Sequence, residues 1–82
     1  MAKSRKLSTH SMIERMIFIN NKISEGKYPN TSKLSKELEV SIATISRDIE
    51  FLRNRLNAPI AYDSYHKGYF YTVPYNLIEN LA

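Results

Sequence analysis

The stretch from Asn30 to Leu56, NTSKLSKELEVSIATISRDIEFLRNRL, decides the fold. It predicts two helices joined by a turn of about three residues. Leu34 and Leu38 are four residues apart, so they share one face of a short first helix. The apolar residues that follow recur at intervals of four, three and four, which predicts a longer amphipathic helix carrying Ile45, Ile49, Leu52 and Leu56.

The turn and the polar side of the second helix carry the functional signal. Val40 fills the turn as an apolar plug, and Ser41 is a favourable N-cap for the helix that follows. The side of this helix away from the apolar stripe has small and polar residues suited to reach out of the domain, namely Ala43, Thr44, Ser46 and Arg47. This is the layout of a helix-turn-helix, whose second helix enters the DNA major groove.

The composition limits the class of protein. The chain has 82 residues and no cysteine, which favours one small domain without disulfides or cysteine-based zinc sites. The longest apolar run, Met16–Ile19, is too short to span a bilayer, and no signal-peptide core follows the basic N-terminus. We therefore expect no membrane association and a cytoplasmic location.

The charge is concentrated at the N-terminus. Residues 1–27 have six basic and two acidic side chains, whereas residues 28–82 have six of each, so the first third carries the whole net charge of +4. Residues 1–7 form a predicted flexible basic arm containing Lys3, Arg5 and Lys6. Such an arm is suited to a DNA groove or to phosphates, or it is simply a solvated, solubilising terminus.

A helix is predicted before the helix-turn-helix, from about Ser8 to Glu25. Its apolar face follows the same four-three-four spacing and is widened by a neighbouring row, with Met12, Met16, Ile19 and Ile23 in the first and Ile13 and Ile17 in the second. Gly26 is the expected residue after the C-cap, and Pro29 prevents continuation. Asn30 or Thr31 then caps the next helix.

After Leu56 the pattern changes to that of a β-hairpin. Two segments rich in β-branched and aromatic residues, Ile60–Tyr65 and Tyr69–Val73, flank a tip in which Gly68 is expected to supply a positive φ. Tyr62 and Tyr71 are the expected cross-strand neighbours. The sequence thus predicts a mostly α domain over residues 8–74, a winged helix-turn-helix with three helices and a two-stranded wing.

Residues 75–82 are expected to be a linker or the start of a following helix. Leu77, Ile78 and Leu81 are apolar, but this segment is too short to form a stable helix alone. An apolar end with nothing to pack on predicts a partner subunit or a further domain. We favour a longer protein in which an effector domain follows.

Three motifs resemble one known family. They read V-S-x-x-T-I-S-R-D-I-x-x-L at Val40–Leu52, A-P-I-A-Y-D at Ala58–Asp63 and K-G-Y-F-Y at Lys67–Tyr71. Together they resemble the N-terminal winged helix-turn-helix of bacterial WYL-domain transcriptional regulators, which is similar to the domains of deoxyribonucleoside-type repressors and of the biotin-ligase repressor. The resemblance implies sequence-specific binding of double-stranded DNA by a homodimer, with repression as the expected mode and a ligand-sensing domain C-terminal to this segment.

The sequence departs from that family at two places. The turn position that is often glycine is Glu39 here, and the recognition helix begins with Ile42-Ala43 rather than with basic residues. Both departures reduce the attraction for phosphates.

The residues expected to contact DNA lie in three groups: Ser41, Ala43, Thr44, Ser46 and Arg47 on the recognition helix, Tyr65, His66 and Lys67 at the wing, and Lys3, Arg5 and Lys6 in the arm.

Some residues of the helix have alternative roles. Arg47 can fork to a guanine edge or a phosphate, or else pair with Glu50. Ile42 can touch a thymine methyl or join the core, and the core is favoured. Asp48 is expected to tie the helix to the scaffold. The tip of the wing either contacts DNA or is a solvated loop without a partner.

Other function classes find less support. The two glycines form no phosphate loop, and His10 and His66 lack the companions that a metal site needs. We therefore expect no catalytic residues, no cofactor and no metal, and hence no enzyme. The alternatives are a winged-helix module that binds protein, favoured by the zero net charge of residues 28–82, and single-stranded RNA binding through the tyrosines. Tyrosines at strand spacing more often pack a hairpin and core.

Overall fold

The structure, a computed structural model, describes residues 10–81. The order of elements is α1 (Met12–Ser24), α2 (Thr31–Leu38), α3 (Ile42–Asn54), β1 (Ile60–Asp63), β2 (Gly68–Tyr71) and α4 (Leu77–Leu81). The predicted fold class is confirmed: the described chain is mostly helical with one antiparallel hairpin, arranged as a winged helix-turn-helix. None of the described helices is long and apolar enough to cross a membrane.

The core lies where the three long helices meet. The predicted stripes supply most of it, and the hairpin and its flanks add the rest: Met16, Ile19, Ile23, Leu34, Leu38, Ile45, Ile49, Leu52, Ala58, Ile60 and Leu77. Three apolar residues predicted on the face of α1 remain largely exposed instead, namely Met12, Ile13 and Ile17. Leu56 lies beyond the end of α3 and is only partly buried, because the helix stops at Asn54.

Capping sets the limits of α1. Its start is at Met12 rather than near Ser8, because Ser11 and Glu14 form a capping box in which each side chain accepts a hydrogen bond from the other's backbone N–H. Gly26 follows the C-cap with a φ of 74°, as predicted. Its N–H donates to the carbonyl oxygen of Ile23 at 3.1 Å, an arrangement typical of a Schellman end.

The turn of the helix-turn-helix depends on one left-handed residue. Asn30, not Thr31, caps α2, since its side chain accepts the N–H of Lys33 at 2.8 Å. At the other end Glu39 takes a φ of 55°, which reverses the chain within three residues. A side chain in this conformation is strained, which is the physical reason that glycine suits the position. Val40 packs against the core, as expected of a plug.

The hairpin register differs from the prediction. β1 ends at Asp63 and the connecting loop has four residues, Ser64–Lys67, so Tyr62 pairs with Tyr69, and Tyr71 pairs with Ile60. The predicted pair of Tyr62 and Tyr71 is therefore wrong, because it assumed a shorter tip and longer strands.

Gly68 has a different role from the one predicted. Lys67, with a φ of 57°, takes the left-handed conformation in this loop, and Gly68 does not. Gly68 is buried, and a Cβ at this position would collide with the backbone carbonyl of Tyr28. The next residue, Tyr69, donates its N–H to the carbonyl oxygen of Pro29 at 2.8 Å. Glycine therefore allows β2 to approach the α1–α2 connection.

Two tyrosines fasten the end of the hairpin to the helices. The Tyr71 hydroxyl donates to Oδ1 of Asn20 at 2.7 Å, and burial raises the pKa of this phenol. The Tyr75 hydroxyl donates to the carbonyl oxygen of Leu56 at 2.5 Å. Leu77 of α4 is buried, contrary to the expectation that the apolar end has nothing to pack on, while Ile78 stays exposed.

One ion pair joins α1 to α3. Nε and Nη2 of Arg15 donate to the two carboxylate oxygens of Asp48 at 2.6 and 3.0 Å, and Nη1 donates to the carbonyl oxygen of His10 at 2.9 Å. Asp48 is only 2% exposed. Its carboxylate raises the pKa of the Arg15 guanidinium through these hydrogen bonds. The predicted tie of Asp48 to the scaffold is confirmed, and Arg15 is the partner.

Replacement of Arg15 by methionine should destabilise the domain by about 3 kcal/mol, because it leaves the Asp48 carboxylate buried without a counter-charge. The double substitution of Arg15→Met with Asp48→Leu should regain most of this loss, since no uncompensated charge remains. Urea denaturation followed by circular dichroism measures both. Equal stability of the single variant and the original chain would mean that the pair contributes nothing.

Replacement of Gly68 by alanine should cost about 1–3 kcal/mol, because the added Cβ forces β2 away from Tyr28. Gly26→Ala is the matched control: nothing lies within 4 Å of its added Cβ, so its cost is limited to the left-handed backbone, about 1 kcal/mol. The same denaturation experiment compares them. A Gly68→Ala variant no less stable than Gly26→Ala would contradict the close approach.

Candidate nucleic-acid interface

The outer face of α3 is the side of the recognition helix that points away from the core. Core contacts are made by Ile45, Ile49 and Leu52, which lie on the opposite side of the helix. We define the outer face by the exposed residues in the first part of α3, which are Ile42, Ala43, Ser46, Arg47 and Glu50. Arg53 and Asn54, also exposed, lie in the last turn. Because α1 and α2 cover only the inner side, this face is free to meet a flat or grooved partner.

Arg47 is the cation of this face. It is exposed, and within residues 10–81 it forms no salt bridge, so the predicted alternative of a pair with Glu50 is absent from this part of the chain. A guanidinium offers five N–H donors in a fixed planar fork, which matches a guanine edge or a phosphate. The donors of Arg47 are thus available to a ligand.

The first turn of α3 is held by its own hydroxyl groups. Ser41 Oγ accepts the N–H of Thr44 at 3.1 Å, and the Ser41 and Thr44 hydroxyl oxygens lie 3.0 Å apart, within hydrogen-bond distance. Ser41 is exposed and Thr44 is half-buried. Both residues thus stand at the start of the outer face, and a contact to a nucleic acid would add to these internal bonds.

Ile42 does not join the core, contrary to the interpretation favoured from the sequence. It is 50% exposed and lies beside Ala43 at the N-terminal end of the outer face. The reason is its position: the residues that face α1 and α2 begin one turn later with Ile45. Ile42 and Ala43 together give the outer face an apolar end, of which the sequence predicted only Ala43 to lie outside the core.

The loop of the hairpin, Ser64–Lys67, is attached to the α1–α2 connection. The His66 ring stacks on Tyr28 with centroids 3.9 Å apart and planes inclined by 11°. His66 also contacts the carboxylate of Asp63, and this hydrogen bond lowers the pKa of Asp63. The carbonyl oxygen of Lys67 accepts a bond from Asn30 Nδ2 at 3.4 Å. The loop is therefore held against the α1–α2 connection by a ring stack and a hydrogen bond.

Two of the three wing residues, Tyr65 and Lys67, are exposed to solvent. Tyr65 is 86% exposed and Lys67 is exposed, whereas one face of the His66 ring is covered by Tyr28. The stacking of Tyr28 on His66 was missed at the sequence level, because no periodic pattern relates residues 38 positions apart in different connections.

The arm residues Lys3, Arg5 and Lys6 lie outside the described residues. Near the point where the description begins, the carbonyl oxygen of His10 is bound by Arg15, which also holds Asp48 of α3. Met12, Arg15, Thr44, Arg47 and Asp48 line one surface groove between α1 and α3. The chain therefore enters the domain close to the outer face of α3.

The charge of this surface is mixed. Arg47 and Lys67 are positive, whereas Glu39 in the turn and Glu50 on the outer face are negative, and all four are exposed. Among residues 10–81 no group of three or more His, Cys, Asp or Glu side chains could hold a metal ion. The arrangement has the polar and apolar groups for recognition of a groove, with little general attraction for polyanions.

Comparison with known proteins assigns the chain to a protein family. A protein-family model described as "HTH domain" matches residues 22–70, which run from the last turn of α1 through α2, the turn, α3 and most of the hairpin. No curated protein and no solved structure matches the chain. Since the family match covers more than half of the 82 residues, the chain belongs to the helix-turn-helix domain family and carries a helix-turn-helix DNA-binding domain.

Proposed function

We propose that this domain recognises a specific sequence in double-stranded DNA and serves as the DNA-binding part of a transcriptional regulator. The observation that carries the proposal is the outer face of α3: an exposed helix side with an Arg47 free of salt bridges within residues 10–81, in a domain of the helix-turn-helix family. In this family of motifs the second helix lies in the major groove, with its N-terminal residues at the base edges.

Three residues of the outer face and two hydroxyl residues at the start of α3 have proposed roles. Arg47 forks to a guanine edge or to a phosphate, and Ser46 donates to a base or phosphate oxygen. Ala43 contacts a thymine methyl group. Ser41 and Thr44, already bonded to each other, meet a phosphate at the N-terminus of α3, where the helix dipole favours negative charge.

The wing and the arm provide the proposed contacts outside the major groove. Lys67 is the cation of the hairpin loop, flanked by the exposed Tyr65 and the stacked His66. Lys3, Arg5 and Lys6 precede the point where Arg15 binds His10 beside α3, which supports an arm that reaches the same DNA. Arms of this kind bind the minor groove or phosphates.

The finer features of the regulator rest on the resemblance to bacterial WYL-domain regulators. They are a homodimer, repression of transcription and a ligand-sensing domain C-terminal to residues 75–82. A dimer would bind two half-sites spaced by about one helical turn, 10 base pairs. The division into a basic arm at 1–7, a domain at 8–74 and a linker at 75–82 stays a prediction.

A second function is supported by the mixed charge. Residues 28–82 carry no net charge, and Glu39 lies in the turn before α3, which suits a winged-helix module that binds a protein through the same face. The two functions differ in salt dependence, because neutralisation of phosphates releases counterions whereas a neutral protein surface does not. Selection from a random duplex pool, followed by titration at two salt concentrations, decides between them.

Replacement of Arg47 by alanine should weaken binding to the selected duplex by about 1–3 kcal/mol and relax preference at one base pair if Arg47 reads a base. Arg55→Ala is the matched control, because it removes the same charge at the C-terminal end of α3, where Arg55 stacks on Phe51. A loss that is equal on all sequences would assign Arg47 to a phosphate. No loss at all would remove Arg47 from the interface.

Deletion of residues 1–6 should lower the slope of log K against log salt by up to about three, one for each lost phosphate contact. A variant with Lys3, Arg5 and Lys6 all changed to glutamine should show the same slope, since it keeps the length and loses the charge. The slope is measured by fluorescence anisotropy at four salt concentrations. An unchanged slope in both variants would make the arm a solvated terminus.

A further inference from the structure

We propose that Ile42 is a specificity-determining residue that reads the C5 methyl group of a thymine in the major groove. The inference rests on the proposed function and deepens it, because it states one base that the recognised DNA must contain. Its basis is the position of Ile42, which is the first residue of α3 and is half exposed at the apolar end of the outer face.

Ile42 lies outside the core of the domain. It is not part of the core cluster, and its exposed fraction of 50% is similar to the 48% of Ile13 on α1. As a β-branched residue it is also a poorer helix former than the alanine beside it. Its side chain therefore adds nothing to the core cluster, and an isoleucine at this place is not explained by local helix preference.

The surroundings of Ile42 fix the position of its backbone. Ser41 precedes it as the N-cap and is bonded to the backbone and the hydroxyl of Thr44, so the first turn of α3 is closed by two contacts. The Cα of Ile42 is therefore held at a defined place at the end of the outer face. Its half-exposed apolar side chain meets a partner there without rearrangement of the helix.

The chemistry of the groove selects the ligand. In the major groove the thymine C5 methyl is the apolar feature of the base edges, while the other groups donate or accept hydrogen bonds. A phosphate or a polar base edge gains nothing from isoleucine and would lose hydration. Ser46, one turn further along the outer face, and Arg47 beside it then read the adjoining polar edges.

The experiment removes the methyl group alone. Once a preferred duplex has been selected with the 82-residue chain, each thymine is replaced in turn by deoxyuridine, and affinity is measured by fluorescence anisotropy. For at least one position the loss should be about fourfold, the order expected for one buried methyl group. With Ile42→Ala, binding to the original duplex should weaken, and the same replacement should then cost less than about 1.5-fold.

Two further variants separate Ile42 from general effects. Ile42→Val keeps the branched carbon and should keep the response to deoxyuridine. Ile13→Ala removes an equally exposed isoleucine from α1 and should leave both the affinity and the response unchanged. Thermal unfolding should show that Ile42→Ala is as stable as the original chain, because no core contact is lost.

The outcomes distinguish the inference from the proposed function. Absence of sequence-preferring DNA binding would overturn both the inference and the proposed function. Sequence-preferring binding that no deoxyuridine replacement weakens would overturn the inference alone. If every replacement that weakens binding acts equally on the original chain and on Ile42→Ala, the methyl contacts belong to other residues such as Ala43, and the inference is also overturned.

Discussion

The orientation of the recognition helix depends on the ion pair between Arg15 and Asp48. A carboxylate that is almost fully buried must have a counter-charge, and the guanidinium on α1 reaches both of its oxygens. The pair therefore fixes the rotation of α3 about its axis relative to α1, and with it the side that faces outward. The third bond of Arg15, to the carbonyl oxygen of His10, also holds the chain that leads in from the N-terminus next to the same helix.

The sharp turns between elements are the second constraint on this small domain. Each of the four connections from α1 to β2 contains one non-glycine residue with a positive φ, and these are Tyr28, Glu39, Asn57 and Lys67. Such residues carry a local cost, of about 1–2 kcal/mol for an ordinary side chain. The core and the backbone bonds around these turns offset it, as where β2 crosses the α1–α2 connection through Gly68. The strained turns thus allow the short helices and strands to pack closely, and this packing offsets the strain.

The proposed interface has groups that can distinguish one base from another, but few positive charges that attract DNA in general. Its outer face has Arg47 as a cation free of salt bridges among the described residues, an apolar end and a nearby acid in the turn, whereas the whole net positive charge lies in the first 27 residues. Affinity for phosphates and readout of bases would then be supplied by different parts of the chain. This separation suits a regulator in which a partner subunit adds a second recognition helix, and it equally explains why a protein ligand is the competing interpretation.

The sequence by itself determined the order of elements, the inner stripes of the helices, the capping of α3 by Ser41 and the Gly26 end of α1, because these depend on periodicity and on local backbone chemistry. It also pointed to the outer residues of α3, since whatever is not on the apolar stripe must face away. Only the tertiary structure decided the partner of Asp48, the register of the hairpin, the reason for Gly68 and the exposure of Ile42. These depend on which distant segments approach each other, and local periodicity contains no information about a contact between residues 33 or 40 positions apart.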